Sequence, residues 1–502
     1  MGDQGERGER VDGQAREGDT EISLRGPELV VRTTLGLATV PALRGLVVPD
    51  ARRPHLYRAR PADLAAIASV IKEEQEVYLT FDPAPPLGVE TRLTATPRPY
   101  QHEAVRAWEA AGRRGVVVLP TGAGKTLVGA MAIVSAATRA LVLVPTIVLC
   151  EQWLSALAAL LGVSADAIGM VGGGRREWDR PVVVSTYDGA THALGHVPRF
   201  GLLVADEVHH LPADTYRAIA EAAVATFRLG LSATLARSDG RERDLAGLLG
   251  DVVYTERPEP LSRDGYLAPF EVVRVDVELG ADDRAAYDAD MALFRDYRTR
   301  TGRPGEPAFV ALERVRRRSA VDRGARAALL AYQRARTLAL TSRAKIDAVE
   351  ALLERHADER CILFAEHVAA VEAIGRAYLI PTITGQTPAA ERATLTEDFR
   401  AGRVTKIATS RVWNEGVDVP EAAVAIVIAG TGMERDAVQR LGRILRPGPD
   451  KKALLYELVT RDTADEGIAA RRRLRSGDAG IAGRTPAHAT LAGASDRRGG
   501  RA

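Results

Sequence analysis

The stretch 116–126, Val-Val-Val-Leu-Pro-Thr-Gly-Ala-Gly-Lys-Thr, constrains this chain more than any other. Val116, Val117 and Val118 form an apolar, β-branched run of the kind a parallel strand buries on both faces. A glycine-rich turn follows, and Lys125-Thr126 opens a helical pattern carried by Leu127, Met131 and Val134. Strand, glycine turn and helix N-terminus make an anion cradle, because unpaired N–H groups and the helix dipole converge on one place. In such a cradle Thr121, Gly122, Ala123 and Gly124 line the turn, and Lys125 reaches the β- and γ-phosphates of a nucleotide. The Thr126 hydroxyl holds Mg²⁺. The strict pattern G-x-x-x-x-G-K-[ST] is not met, since Leu119 stands where its first glycine belongs.

At 502 residues the chain is too long for one core, and about three domains are expected. Its 68 Lys+Arg nearly cancel 66 Asp+Glu, so net charge argues neither for nor against nucleic acid; only local clustering can. Cys150 and Cys361 lie in or beside apolar runs without metal spacing, and read as reduced thiols. The first twenty residues are polar, unlike a signal peptide, and no apolar run approaches the ~18 residues of a membrane span. A soluble, cytoplasmic protein without a membrane partner is expected.

Residues 1–20 have almost no apolar side chains and read as a disordered tail. A small α+β domain is expected over 21–90. Leu29-Val30-Val31, Leu46-Val47-Val48 and 77–81 read as strands, and Leu64, Ile67, Ala68 and Ile71 as a helix; Pro83, Pro85 and Pro86 read as a linker. From 91 to 256 short apolar runs at 116–119, 141–144, 182–185, 202–205 and 228–231 alternate with helical patterns, as in a parallel α/β sheet. A second alternating set, at 361–364, 382–383, 406–409, 424–428 and 454–458, falls within 257–475. The fold class is therefore α/β: two tandem parallel-sheet domains, of which only the first carries a phosphate loop, with a nucleotide expected between them. Residues 285–340 interrupt the second unit with a helical, arginine-rich insertion that includes Arg316 and Arg317. A phosphate-backbone surface and a solvated helix face are both open readings of it. Residues 476–502 read as a disordered basic tail.

Two further stretches carry chemistry. An apolar run at 202–205 delivers Asp206-Glu207-Val208-His209, two adjacent carboxylates in order after the phosphate loop. There Asp206 would hold Mg²⁺, and Glu207 would orient and deprotonate the attacking water. In Gln439-Arg440-Leu441-Gly442-Arg443-Ile444-Leu445-Arg446, Arg443 and Arg446 share one helical face and would stabilise charge on the γ-phosphate. Less is expected of three other features. His192 and His196 lack a third ligand, Gly172-Gly173-Gly174-Arg175 is a loop that touches a nucleic-acid backbone at most, and Trp153 packs. Trp178 and Trp413 remain candidates for base stacking.

Taken in order, these segments resemble the motif set of a superfamily 2 helicase of DExH type. They include Arg98-Pro99-Tyr100-Gln101, Val144-Pro145-Thr146, Ser185-Thr186-Tyr187, Leu231-Ser232-Ala233-Thr234 and the stretch from Thr409 to Pro420. More narrowly, Asp206-Glu207-Val208-His209-His210-Leu211-Pro212 and Phe227-Arg228-Leu229-Gly230-Leu231-Ser232-Ala233-Thr234 resemble the XPB family of DNA repair helicases, especially its compact archaeal form. The resemblance spans about residues 25–475. It implies RecA-like helicase domains, ATP and Mg²⁺ as cofactors, and a 3′→5′ helicase or translocase acting in excision repair. Single-stranded, forked or damaged DNA would be its substrate, and a nuclease or other repair protein its partner.

By the same resemblance Gln101 reads adenine, Glu415 and Asp418 contact the nucleotide, and Thr146, Thr186 and Thr409 contact DNA. His209, Ser232, Thr234 and Gln439 couple hydrolysis to movement. The N-terminal domain corresponds to the family's damage-recognition domain and the insertion to its thumb. One departure stands out: Arg237-Ser238-Asp239 replaces the family's Arg-Glu-Asp. That substitution keeps one alternative open, an ATP-gated DNA clamp recruiting a nuclease or repair factor with weak unwinding; the shared core motifs leave another, the motor subunit of a restriction system.

Overall fold

The computed structural model describes residues 19–233, 243–303, 305–365, 367–410, 422–429, 453–467 and 487–489. The chain falls into two compact units, 1–119 with 124–255, and 256–502 with 120–123.

The first unit opens with an antiparallel sheet of β1 (Thr20–Arg25), β2 (Glu28–Arg32), β3 (Val47–Asp50) and β4 (Arg53–Ala59), against which α1 (Leu64–Ile71) packs. β5 (Val77–Leu79) adds to its edge, parallel to β1. Ile22, Leu29, Val31, Tyr57, Ile67 and Ile71 form the core, and Val224 of the following domain belongs to the same apolar cluster. Arg60 reaches Glu221 across that junction at 3.3 Å. The prolines read as a linker are docked instead. The Thr138 hydroxyl and the Arg139 N–H donate to the Pro85 carbonyl, and Leu87 is buried. Proline offers no N–H but keeps its carbonyl, which here finds partners.

The larger part of this unit runs α2 (Pro99–Ala110), β6 (Arg114–Val118), α3 (Lys125–Ala136), β7 (Ala140–Val144), α4 (Ile147–Leu161), β8 (Ile168–Gly172), β9 (Arg175–Arg176) and β10 (Val182–Thr186). It continues through α5 (Tyr187–Thr191), β11 (Leu202–Asp206), α6 (Asp214–Ala222), β12 (Phe227–Ser232), α7 (Asp244–Leu248) and β13 (Val252–Thr255). The strands lie in the order β13-β6-β12-β11-β7-β10-β8-β9, all parallel except β9. Helices cover both faces, which is why β7, β10 and β11 are buried throughout and read as unbroken apolar text.

One charged side chain sits inside this core. Arg228 of β12 is 1 % exposed, and no carboxylate pairs with it among the described residues. Its guanidinium donates to the carbonyls of Ala225, Leu248 and Ala223, at 3.2, 2.6 and 2.8 Å. Two of these acceptors lie at the C-terminal ends of α6 and α7, where helix dipoles favour a cation. Burial pushes the guanidinium down to about 9, still protonated at neutral pH. Arg228→Met strands three buried acceptors, and we expect a loss of about 2–4 kcal/mol. An unchanged urea midpoint would show that the carbonyls find other donors.

The second unit carries α8 (Pro258–Arg263), β14 (Phe270–Val277), α9 (Ala281–Thr301), α10 (Ala308–Arg318), α11 (Arg323–Thr341), α12 (Arg343–Arg355) and β15 (Cys361–Ala365). After these come α13 (Val368–Tyr378), β16 (Thr382–Ile383), α14 (Ala389–Arg400), β17 (Lys406–Thr409), β18 (Val424–Ala429), β19 (Ala453–Thr460) and β20 (Ala487–Ala489). Its sheet, among the described residues, is parallel in the order β16-β17-β15-β18-β19-β14-β20.

The insertion is a helical arm. α9 and α11 pack along each other through Phe294 and Tyr297 against Ala325 and Ala328 at the far end, and through Tyr287 against Ala335 and Ala339 at the root. The root is fastened to the turn after β19. Arg284 donates to the carbonyls of Arg461 and Asp462, the Ala464 N–H donates to the Tyr287 hydroxyl, and the Thr460 hydroxyl donates to the Ala339 carbonyl. Lys345, at the start of α12, donates to Asp465 and to the Ile428 carbonyl, both at 2.6 Å, in a fully buried pair.

Among the described residues no helix is long and apolar enough to cross a membrane, and no cluster of His, Cys, Asp and Glu holds a metal-like arrangement. Both cysteines are buried and free.

Candidate nucleotide site and adjoining surface

Parallel α/β sheets gather ligands at the carboxyl ends of their strands. Here the phosphate loop follows β6, Ser232 ends β12 and Asp206 ends β11; Thr146 follows β7 and Thr186 ends β10. Because β6, β12, β11, β7 and β10 are neighbours, the sheet order alone lines these residues along one edge.

The loop turns through Gly122 and Gly124, at φ +86 and +79, conformations that glycine adopts without penalty. A Cβ on Gly124 would also lie 2.5 Å from Gln101 Nε2, so glycine is needed there twice over. Gln101 is buried in the first turn of α2, and its Oε1 accepts the Arg98 N–H at 2.9 Å. Thr121 Oγ1 is buried with no hydrogen-bond partner, and Lys125 points its ammonium to Glu207 Oε1 at 3.4 Å. An orphaned hydroxyl, a half-turned glycine cradle and a lysine at one point fit a polyphosphate.

Glu207 is itself in the left-handed region, at φ +45, an uncommon conformation for a residue with a side chain. That turn brings its carboxylate back over Lys125. Glu207 Oε2 is buried without a hydrogen-bond partner and lies 3.5 Å from His209 Nδ1. His209 is buried too, with Nδ1 3.4 Å from the Ser232 hydroxyl, so β11 and β12 are tied just beyond the carboxylates. An oxygen with a vacant lone pair beside a phosphate cradle can accept a proton from water.

Asp206 is enclosed. Oδ1 accepts the Glu207 N–H at 2.9 Å, and Oδ2 accepts the Trp153 indole N–H at 2.8 Å. Burial, then the Glu207 charge next door, push its carboxyl up to about 6, against the pull of Lys125. An anion held in so little water is electrostatically short of a cation. With the Thr126 hydroxyl on the first turn of α3, the donor set is all oxygen, as Mg²⁺ prefers.

Beside this cluster, Thr146 caps α4 by accepting the Leu149 N–H, and Thr186 caps α5 by accepting the Gly189 N–H. Gly172 and Gly173 approach Thr186 and Ile147, which gathers the glycine turn with both threonines. Ile147 and Val148 are exposed there.

Residues 94–237 match the family described as type III restriction enzyme, res subunit, and residues 328–485 match the ERCC3/RAD25/XPB C-terminal helicase family. The chain is 37 % identical over 441 residues to the DNA 3′-5′ translocase XPB2 of Sulfurisphaera tokodaii, covering 86 % of this chain and 98 % of that protein. It belongs to the XPB family. The DNA 3′-5′ helicase XPB of Mycobacterium tuberculosis is 36 % identical over 75 % of this chain, which spans 63 % of that relative's length. In fold, the XPB chain is similar to the Pyrococcus furiosus Hef helicase domain, with TM-score 0.50, 18 % identity, and 75 % and 98 % of the two chains covered. It is also similar to Saccharomyces cerevisiae Dbp5 bound to RNA and ADP BeF3, with TM-score 0.53, 14 % identity, and 79 % and 90 % covered. Both support two RecA-like helicase domains.

The remaining expected residues of this XPB chain are distributed as follows. Thr409, Arg316 and Arg317 lie in the second unit. Thr409 is buried with its hydroxyl donating to the Ser410 carbonyl, whereas Arg316 and Arg317 are exposed, Arg317 beside Glu313 at 3.2 Å. The insertion is less purely basic in space than in sequence, because Arg314 is taken by Glu306 at 2.8 Å and Arg334 by Asp290. Thr234, Glu415, Asp418, Gln439, Arg443 and Arg446 lie outside the described residues, as do Trp413 and the stretch 237–239. Trp178 is not available for base stacking. It is buried, and its ring stacks on His196 at 5.1 Å. The bond from Trp153 to Asp206 escapes sequence reading, although Gly129 in mid-α3 hints at it: a Cβ there would lie 2.7 Å from the Trp153 ring.

Proposed function

We propose that this XPB chain is an ATP-driven 3′→5′ motor on DNA, a translocase and helicase working in DNA repair. Its expected place is the cytoplasm with the chromosome, and a nuclease or other repair protein its expected partner. The observation that carries the reading is the constellation at the ends of β6, β12 and β11. Lys125 meets Glu207 there at 3.4 Å, Glu207 Oε2 is buried without a hydrogen-bond partner, and Asp206 precedes it at the end of β11.

Each residue then has one task. Gln101 and the glycine turn seat the nucleotide, while Lys125 draws negative charge from the terminal phosphates. Thr126 and Asp206 hold Mg²⁺, and Glu207 takes the proton of the attacking water at Oε2. Bound MgATP would supply the phosphoanhydride energy and neutralise charge on the leaving oxygen. His209 and Ser232 carry the state of the site into β12. Thr146, Thr186 and the glycine turn at 172–174 meet the DNA backbone, with Arg316 and Arg317 adding phosphate contacts from the insertion.

The test is ATP hydrolysis by the purified chain alone and with single-stranded, duplex and forked DNA, or RNA. We expect turnover to rise strongly with DNA and little with RNA. Equal stimulation by RNA would overturn the choice of DNA, and no stimulation by either would overturn the motor.

A further inference from the structure

Asp206 receives hydrogen bonds from two aromatic side chains. Trp153, two turns into α4, donates its indole N–H to Oδ2 at 2.8 Å; Tyr187, at the start of α5, donates its hydroxyl to the Asp206 main-chain carbonyl at 2.8 Å. The Trp153 ring is 2 % exposed and seated against Gly129 of α3, where a side chain would collide with it. It is therefore held from behind by the helix that follows the phosphate loop.

The donor's chemistry suits an ion site. An indole N–H donates one hydrogen bond and accepts none, so it fixes Oδ2 without neutralising the carboxylate. The Glu207 N–H does the same for Oδ1, and the anion is oriented with its charge intact. A lysine or arginine in Trp153's place would supply the bond and cancel the charge the cation needs.

We propose that Trp153 is a positioning residue that orients the Asp206 carboxylate toward Mg²⁺. This rests on the reading of Asp206 as the metal-holding carboxylate. Outer partners of this kind set the angle at which a ligand meets its ion, and their loss typically weakens metal affinity by about 10–100-fold. The same helix begins at Thr146, on the surface assigned to DNA, so the group that aims the carboxylate and the group that meets the polymer ride on one rigid element.

The experiment is a Mg²⁺ titration of N-methylanthraniloyl-ADP binding to the full chain, with affinity in EDTA measured alongside. Trp153→Phe should raise the half-saturating Mg²⁺ concentration about tenfold and leave the EDTA affinity unchanged. Tyr187→Phe removes a buried bond of the same length from the main chain of the same residue, and should leave the half-saturation where it was. Gly129→Ala, which pushes the indole from the opposite side, should shift it as Trp153→Phe does and serves if that variant does not fold. Wild-type half-saturation in Trp153→Phe, or equal shifts in Trp153→Phe and Tyr187→Phe, would overturn the proposal. Asp206→Asn separates the two layers. If it leaves the Mg²⁺ dependence unchanged, the metal reading falls with the proposal; if it removes that dependence while Trp153→Phe keeps the wild-type half-saturation, only the proposal falls.

Discussion

Glu207→Gln should slow ATP hydrolysis by about 10³-fold while the chain still binds ATP. The substitution keeps length and shape, and loses the one property the free Oε2 contributes, the capacity to take a proton. Binding survives because the glycine turn, Lys125 and the Thr121 hydroxyl are untouched. Single-turnover hydrolysis together with equilibrium binding of labelled ATP separates the two effects. A fall in affinity that matches the fall in rate would mean that Glu207 only holds Lys125 in place, across their 3.4 Å contact. Rapid hydrolysis by the variant would send the search for the base elsewhere.

The second large effect lies far from the carboxylates. Lys345 and Asp465 are 0 % and 1 % exposed, and Asp465 Oδ1 has no hydrogen-bond partner. Lys345→Met leaves an anion buried without its cation, a defect that costs about 3–5 kcal/mol. The second unit should then unfold at clearly lower urea. Adding Asp465→Asn removes the stranded charge while an amide oxygen can still accept the Thr460 N–H, which Asp465 Oδ2 accepts at 3.0 Å. The double variant should therefore regain a large part of the loss. If it is no more stable than Lys345→Met, the lysine acts through packing or through the Ile428 carbonyl, and not through the charge pair.

Much of the architecture is legible in the residues because parallel strands covered on both faces leave continuous apolar text; 141–144 and 361–364 are read directly from such runs. β14 escapes for the opposite reason. It alternates Arg274 and Asp276 with valines, and these two pair with each other while Arg274 also reaches Glu466 at 2.9 Å, so charge is buried where hydropathy predicts solvent. β8 escapes because its valine and methionine run into three glycines. At the site, the phosphate loop and the Asp-Glu pair are recognisable because each chemistry demands its own short string. The Trp153 bond joins residues 53 apart, and helical spacing announces only that the ring packs. Arg228 is the extreme case, since nothing in Phe-Arg-Leu-Gly-Leu-Ser tells a reader that the arginine ends among carbonyls.

The fastened root of the helical arm has a mechanical consequence. α9, with 21 residues, extends about 30 Å from that root, and its partner α11 returns along it. Arg284, Tyr287 and Lys345 grip the turn that follows β19 and Ala339 its last strand residue, Thr460, so among the described residues the base is held at four points against a bending load. A push on the exposed tip around Val321 is thus delivered as torque to residues 460–466, and through Lys345 to the end of β18. The arm is built as a lever with a clamped end, and its stiffness resides in that one turn.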